Sequence, residues 1–260
     1  MKTRSVKFNA VMNTFLTASN MFIGLITFPY ATRVLSVEGY GNVTFAQSIS
    51  TWLSAICLIG VPTYGIRECA RVRDDPKALA KTVKELLIII TCATVCALSI
   101  FALCIFFVPR LRDLSALMWI FLVSTLLLSY GVEWFFQATE QYEYITIRSV
   151  AFKIISLIAI LIFVRHQDDW LIYGVILALV SCANNLLNIT RLLRSLSFRN
   201  LGHSNLRRHR KSLAAFAVLS IATAIYNSFD SVLLGMLSPN NRQVAFYQLA
   251  SKLRSICYQV

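Results

Sequence analysis

Polar residues along this chain are gathered into short intervals between long apolar runs. Runs near 9–33, 43–66, 86–108, 114–136, 149–164, 170–190 and 212–237 stand out, and an eighth begins near 244. A hydrocarbon core of about 30 Å needs roughly 20 apolar residues in helical form. In lipid each segment must pair its own backbone polar groups, so the runs predict helices. The fold class they predict is an all-α polytopic membrane protein.

Three runs are interrupted by polar residues at helical spacing. In span one Asn9, Asn13, Thr17, Asn20, Gly24 and Thr27 step by three or four, which puts them on one face. Span two offers Thr44, Gln47, Thr51 and Ser54, and span seven Ser220, Thr223, Asn227 and Asp230. A buried carboxamide needs several partners, and polar side chains in lipid turn toward other helices or a wet cavity. The stripes together predict a water-filled lumen lined by spans one, two and seven.

Composition agrees with lipid as the solvent. Of 260 residues 57% are hydrophobic and 14% charged, against roughly 45–50% and about 25% in soluble domains; the mean hydropathy is +0.64. Five of the seven cysteines, Cys57, Cys92, Cys96, Cys104 and Cys182, lie in apolar runs without metal-ligand spacing and read as packing residues. No metal and no cofactor is implied.

The net charge of +13 changes the picture only through its placement. Lys and Arg fall between the runs, as topology signals and partners for anionic lipids do, so nucleic acid is not an expected partner. One side collects Lys2, Arg4, Lys7, Arg67, Arg71, Arg73, Lys77, Lys81, Lys84, Arg148, Lys153 and the cluster from Arg191 to Lys211; the other has Arg33, Arg110, Arg112, Arg165 and Arg242. The rich side is expected to be cytoplasmic, with the N-terminus inside. The first span lacks the short uninterrupted core of a cleavable signal and is expected to stay.

Charges within the spans are the candidate chemistry. Asp230 lies inside span seven, where a lipid-facing carboxylate costs at least about 2.5–3.5 kcal/mol. Glu133 and Lys153 fall near the inner face and are expected to form a structural ion pair. Asp168-Asp169 reads as a cap before Trp170.

The string LSVEGYGNVTFAQS (35–48) is echoed by LSPNNRQVAFYQLAS (237–251), each leading from an outer turn into an inward helix. Internal symmetry of this kind suits two similar bundles with a path between them. The segments FPYATRVLSVEGYGNVTFAQSI (28–49), GVPTYGIRECARVRDD (60–75) and EWFFQATEQYEYITIRSVAFKIISLIAILIFV (133–164) resemble bacterial polysaccharide and O-antigen flippases of the Wzx type. These belong to the multidrug/oligosaccharidyl-lipid/polysaccharide exporter superfamily. Ser36 and Ala138-Thr139 depart mildly from its usual pattern.

The resemblance implies a V-shaped two-lobe exporter. Residues 1–190 would form a six-helix N-terminal lobe, 191–211 a basic cytoplasmic inter-lobe loop, and 212–260 the incomplete start of a second lobe. The chain stops in its eighth span and is expected to be a truncated product or partial sequence. The implied cargo is an undecaprenyl-pyrophosphate-linked oligosaccharide, flipped across the bacterial cytoplasmic membrane for O-antigen, capsule or exopolysaccharide synthesis. A polysaccharide polymerase and chain-length proteins would be partners.

Such a headgroup needs amides for sugar hydroxyls and a guanidinium for phosphate. Arg33 and Arg67 are the candidate diphosphate ligands, with Asn13, Asn20, Gln47 and Asn227 along the sugar path. Glu68 is the candidate partner of Arg67 and, with Asp230, a lumen charge or ion-coupling group. Pro29, Gly39 and Gly41 would break and pivot the outer end of span one. The alternatives are a toxic-compound extrusion pump of the same superfamily and a non-transporting fragment. A membrane enzyme is disfavoured by the shortness of the outer connections.

Overall fold

The computed structural model describes residues 6–259 apart from Asn200, His203 and Pro239. The described residues form eleven α-helices and one 3-10 turn, with no strand. In order they are α1 (Val6–Val34), α2 (Val37–Leu58), α3 (Val61–Arg71), α4 (Pro76–Phe107), α5 (Pro109–Asp113) and α6 (Ser115–Ser129). They continue with α7 (Glu133–Ala138), α8 (Tyr142–Phe163), α9 (Trp170–Ser195), the 3-10 turn Leu206–His209, α10 (Arg210–Leu237) and α11 (Arg242–Gln259). Among the described residues seven helical stretches are long and apolar enough to cross a membrane, and they coincide with the seven predicted spans. The chain is therefore an all-α polytopic membrane protein. The expected eighth span is helical as α11 but does not belong to those seven.

Local chemistry sets the breaks. Ser36 caps α2, its Oγ accepting from Gly39 N at 3.1 Å. Between α2 and α3, Ile59 and Gly60 take positive φ (48° and 72°), with Pro62 in the first turn that follows. At Gly60 a Cβ would also lie 2.4 Å from the carbonyl carbon of Phe216 on α10, so this break requires glycine twice over. Asp75 caps α4 through the N–H groups of Lys77 and Ala78 at 2.9 and 3.1 Å.

Pro29 is a correction: α1 runs through it without a break to Val34, and the turn lies at Leu35-Ser36. Gly39 and Gly41 are not turn residues either. Both sit in the first turns of α2, where a Cβ would lie 2.8 Å from Trp170 and 2.0 Å from the Asn241 carbonyl oxygen. Close approach of neighbours, not flexibility, explains these glycines. Asp169 also differs from expectation, because its carboxylate turns back to the N–H groups of Arg165 and His166 (2.9 and 2.7 Å) rather than capping α9.

Those backbone donors, Arg165 first, hold the Asp169 carboxyl below the usual range. The stabilisation is present above the ordinary aspartate value of about 3.9 and is lost as pH falls through the lowered folded value. Asp169→Asn should therefore lower stability slightly at neutral pH, where the carboxylate is ionised, and flatten the acid limb of a detergent-solubilised unfolding curve, the variant and the parent converging at low pH.

Among the described residues packing divides into two large apolar clusters, with a small third one at Leu53, Cys57, Ala97 and Leu98. The first large cluster surrounds Tyr40, Phe45, Leu117 and Tyr173, and the second Leu86, Phe135, Phe136 and Ile145. The Trp134-Phe135-Phe136 block is buried core, with the two phenylalanine rings edge to face at 5.2 Å. α2 is the central helix, packed along α10 and α11 and against α4 and α6. α1 lies instead along α8, and its ring contact with α2 is Phe28 on Tyr40 at 6.4 Å. Of the three striped helices, α2 and α10 therefore pack along each other, while α1 lies on α8.

Candidate functional site

The polar residues that do converge lie among α1, α7, α8 and α9. A cavity of about 380 Å³ is lined there by Asn20, Glu133, Ser149, Lys153, Ser181 and Asn184, with apolar Leu16 and Leu177 completing the wall. Each lining helix contributes for a local reason. Asn20 belongs to the span-one stripe, Ser149, Lys153 and Ser156 recur at helical spacing on α8, and Glu133 opens α7 after Gly131 and Val132 break the preceding helix. At Gly131 a Cβ would lie 2.4 Å from Asn185 Oδ1, so α9 packs directly on this break.

The expected pairing of Glu133 with Lys153 is corrected in its partners. Glu133 Oε2 accepts from Arg148 Nη2 at 3.3 Å, while the Lys153 ammonium donates to Asn20 Oδ1. Both charges still face the same cavity. Arg148 is only 5% exposed, although its place in the sequence reads as a boundary cation. Asn184 Oδ1 has no hydrogen-bond partner. Buried polar groups of this kind are normally satisfied by water or a ligand. The cavity thus offers a cation, a carboxylate, amides and hydroxyls within membrane-crossing helices, the donor and acceptor set that a hydrated polar headgroup or ion requires.

Other expected site residues are scattered. Arg33 and Arg67 are exposed at opposite ends of the helices. Glu68 pairs with Arg71 at 3.3 Å rather than with Arg67. Asn13, Thr17 and Asn227 are exposed and Gln47 is half-buried. Asp230 accepts from the Tyr247 hydroxyl of α11, so its first neighbour comes from the echoed segment.

The two echoed turns meet each other. Asn241 Nδ2 donates to Asn42 Oδ1 at 2.7 Å, and Arg242 Nε lies 3.7 Å from Glu38. Arg110 ties the junction from a third side, donating to the Gly235 carbonyl and to Asn241 Oδ1, both at 2.9 Å. Next to it Lys252 donates to Tyr40 Oη at 3.0 Å with its ammonium 5.0 Å from the Phe28 ring. Sequence reasoning passed over Lys252; a lysine within the eighth predicted span was the available signal. It also missed Glu85, which is fully buried and accepts from Asn205 N and Arg208 Nε, both at 2.8 Å, and lies 2.9 Å from His209 Nε2.

Residues 6–260 match the family described as polysaccharide biosynthesis protein. The chain belongs to that family. It is 27% identical over 248 residues to the "Putative O-antigen transporter" of Escherichia coli (strain K12), covering 90% of this chain and 57% of that protein. Against the protein of the same name from Shigella dysenteriae it is 25% identical over 262 residues, covering 96% of this chain and 63% of the relative. The chain thus spans about three fifths of the length of these curated relatives. No solved structure matches it. Membership of this polysaccharide biosynthesis family fits the resemblance carried by the 28–49, 60–75 and 133–164 segments, of which the last supplies Glu133, Ser149 and Lys153 to the cavity.

Proposed function

We propose that this chain forms part of a flippase that moves lipid-linked oligosaccharide across the bacterial cytoplasmic membrane. The observation that carries this reading is the charged, amide-lined cavity among α1, α7, α8 and α9. Family membership and the relatives named as O-antigen transporters support this substrate class. A sugar headgroup crossing between leaflets needs continuous replacement of its hydration. Asn20, Ser149, Ser181 and Asn184 provide such groups, with Lys153 as the cation for an anionic linkage.

Within this proposal residues 1–190 and 212–260 belong to two lobes that rock about the midplane, and the N-terminus is cytoplasmic because the basic residues crowd that face. Arg33 and Arg67, exposed at the two faces, act on the headgroup's phosphates as it leaves and enters. Asp230 with Tyr247 is the candidate coupling group.

Accessibility of introduced thiols tests the reading. In a background cleared of native cysteines, Asn20→Cys and Ser181→Cys should react with a membrane-impermeant maleimide in intact cells or inverted vesicles. Phe22→Cys and Leu179→Cys, at exposed apolar positions on the same helices, should stay protected by lipid. The reverse pattern would remove the hydrated path. Lys153→Ala should also cut restoration of surface polysaccharide at least about tenfold in a flippase-deficient strain, which corresponds to roughly 1.4 kcal/mol.

A further inference from the structure

Two cavities near the basic end of α8 share part of their walls. The first, about 730 Å³, has Glu143, Tyr144, Arg148 and Arg191 at its polar end and Ile147 and Ala151 at its apolar end. The second, about 510 Å³, runs between α1 and α8 and is lined by Val11, Phe15 and Ile154 together with the same Ile147 and Ala151. Its lining is apolar but for Thr146, whose hydroxyl donates to the Met12 carbonyl at 3.1 Å.

The polar end is built around one ring. The Arg191 guanidinium carbon lies 3.8 Å from the Tyr144 centroid and that of Arg148 5.1 Å from it. Arg191 donates to Gln141 Oε1 at 3.1 Å. Arg148, 5% exposed, uses Nη2 on Glu133 and Ser149, while its Nε and Nη1 have no acceptor. Buried donors of a guanidinium left unmet are costly, and a phosphate oxygen is their natural complement. Two carboxylates also line this cavity, Glu140, which is bound by Arg73, and Glu143.

We propose that these two adjacent cavities bind a phosphate-headed lipid, its phosphate at Arg148 and Arg191 and its chain crossing Ile147 and Ala151 into the groove between α1 and α8. Depth supports the assignment. α8 starts at Tyr142, so Ala151 lies about 14 Å further along the helix, which sets the polar end at headgroup level and the groove at acyl level. The site does not depend on transport. Its lipid is either a resident phospholipid or the polyprenyl phosphate of the proposed cargo, since both present the same phosphate above a hydrocarbon chain.

Native mass spectrometry of the full chain in mild detergent distinguishes them, titrating phosphatidylethanolamine, phosphatidylglycerol, undecaprenyl phosphate and phosphate-free diacylglycerol. At least one phosphate lipid is expected to bind ten times more tightly than diacylglycerol. Arg191→Ala, at an exposed position that folding tolerates, should abolish that difference. Ala151→Trp, which fills the junction and spares both arginines, should do the same. A preference for phospholipids identifies a resident lipid, a preference for undecaprenyl phosphate identifies the cargo, and equal binding of both supports phosphate as the recognised feature. Diacylglycerol binding as tightly as the phosphate lipids, or either variant keeping wild-type selectivity, overturns the proposal.

Discussion

Glu85→Ala is expected to lower the unfolding free energy by about 3 kcal/mol and to release the connection that precedes α10. The carboxylate of this fully buried residue on α4 gathers the Asn205 N–H, Arg208 and His209 into one cluster. His209 continues the chain of contacts to the Tyr64 hydroxyl of α3 at 2.7 Å, and Arg208 reaches Thr82 at 3.1 Å. Removing the acceptor takes the carboxylate away from the Asn205 N–H and from Nε2 of the buried His209 ring, which keeps its contact with the Tyr64 hydroxyl at Nδ1. Arg208 is 45% exposed and can turn to water, which keeps the loss at the low end of the range for broken buried pairs. Detergent-denaturation curves measure the loss, and trypsin should cut at Arg207, Arg208 or Arg210 in the variant but not in the parent. Glu85→Gln, which keeps one acceptor, should lie between them. A variant as stable and as protease-resistant as the parent would mean that the cluster does not anchor the segment.

The same substitution made at two glycines should act in opposite directions. A Cβ on Gly41 would meet the Asn241 carbonyl oxygen at 2.0 Å and its carbon at 2.7 Å. These are backbone atoms, so no rotamer relieves the clash. Gly41→Ala must part α2 from the 240–241 turn and break the Asn241–Asn42 and Arg110–Asn241 hydrogen bonds. A loss of roughly 3 kcal/mol is expected, the upper part of the range for overpacking. Gly24 on α1 has nothing within 4 Å of the corresponding position. There Gly24→Ala should stabilise by up to about 1 kcal/mol, since alanine loses less backbone freedom in a helix. Thermal melts of the two variants, followed by size-exclusion of the surviving fraction, read both signs in one experiment. A neutral Gly41→Ala would show that the two echoed turns do not bear on one another.

What could be read from the sequence follows from what is local. Bilayer crossing depends on apolar length along the chain, a one-dimensional property, and all seven spans were legible for that reason. Caps at Ser36 and Asp75 depend on residues within a few positions and were open to the same kind of reading. The resemblance in the 133–164 segment was legible too, although its aromatic block turns out to be core packing.

Only the tertiary structure decided which helix faces meet. The periodicity of the span-one stripe fixes that Asn13, Thr17 and Asn20 share a face, but not that α1 lies along α8 instead of α2. That choice depends on side-chain shape across helices, since between apolar helices in lipid no hydrophobic force selects a partner. The same is true of charge. Arg148, Arg191 and Lys153 look alike in sequence as boundary cations, yet packing buries Arg148 against Glu133, stacks Arg191 on Tyr144 and turns Lys153 to Asn20. Gly39 and Gly41 suggested a pivot because glycine permits one, and close contact with Trp170 and Asn241 makes them fixed points instead. Composition and spacing set how many helices cross and where they end; van der Waals contact and the pairing of buried polar groups set which residues share a site.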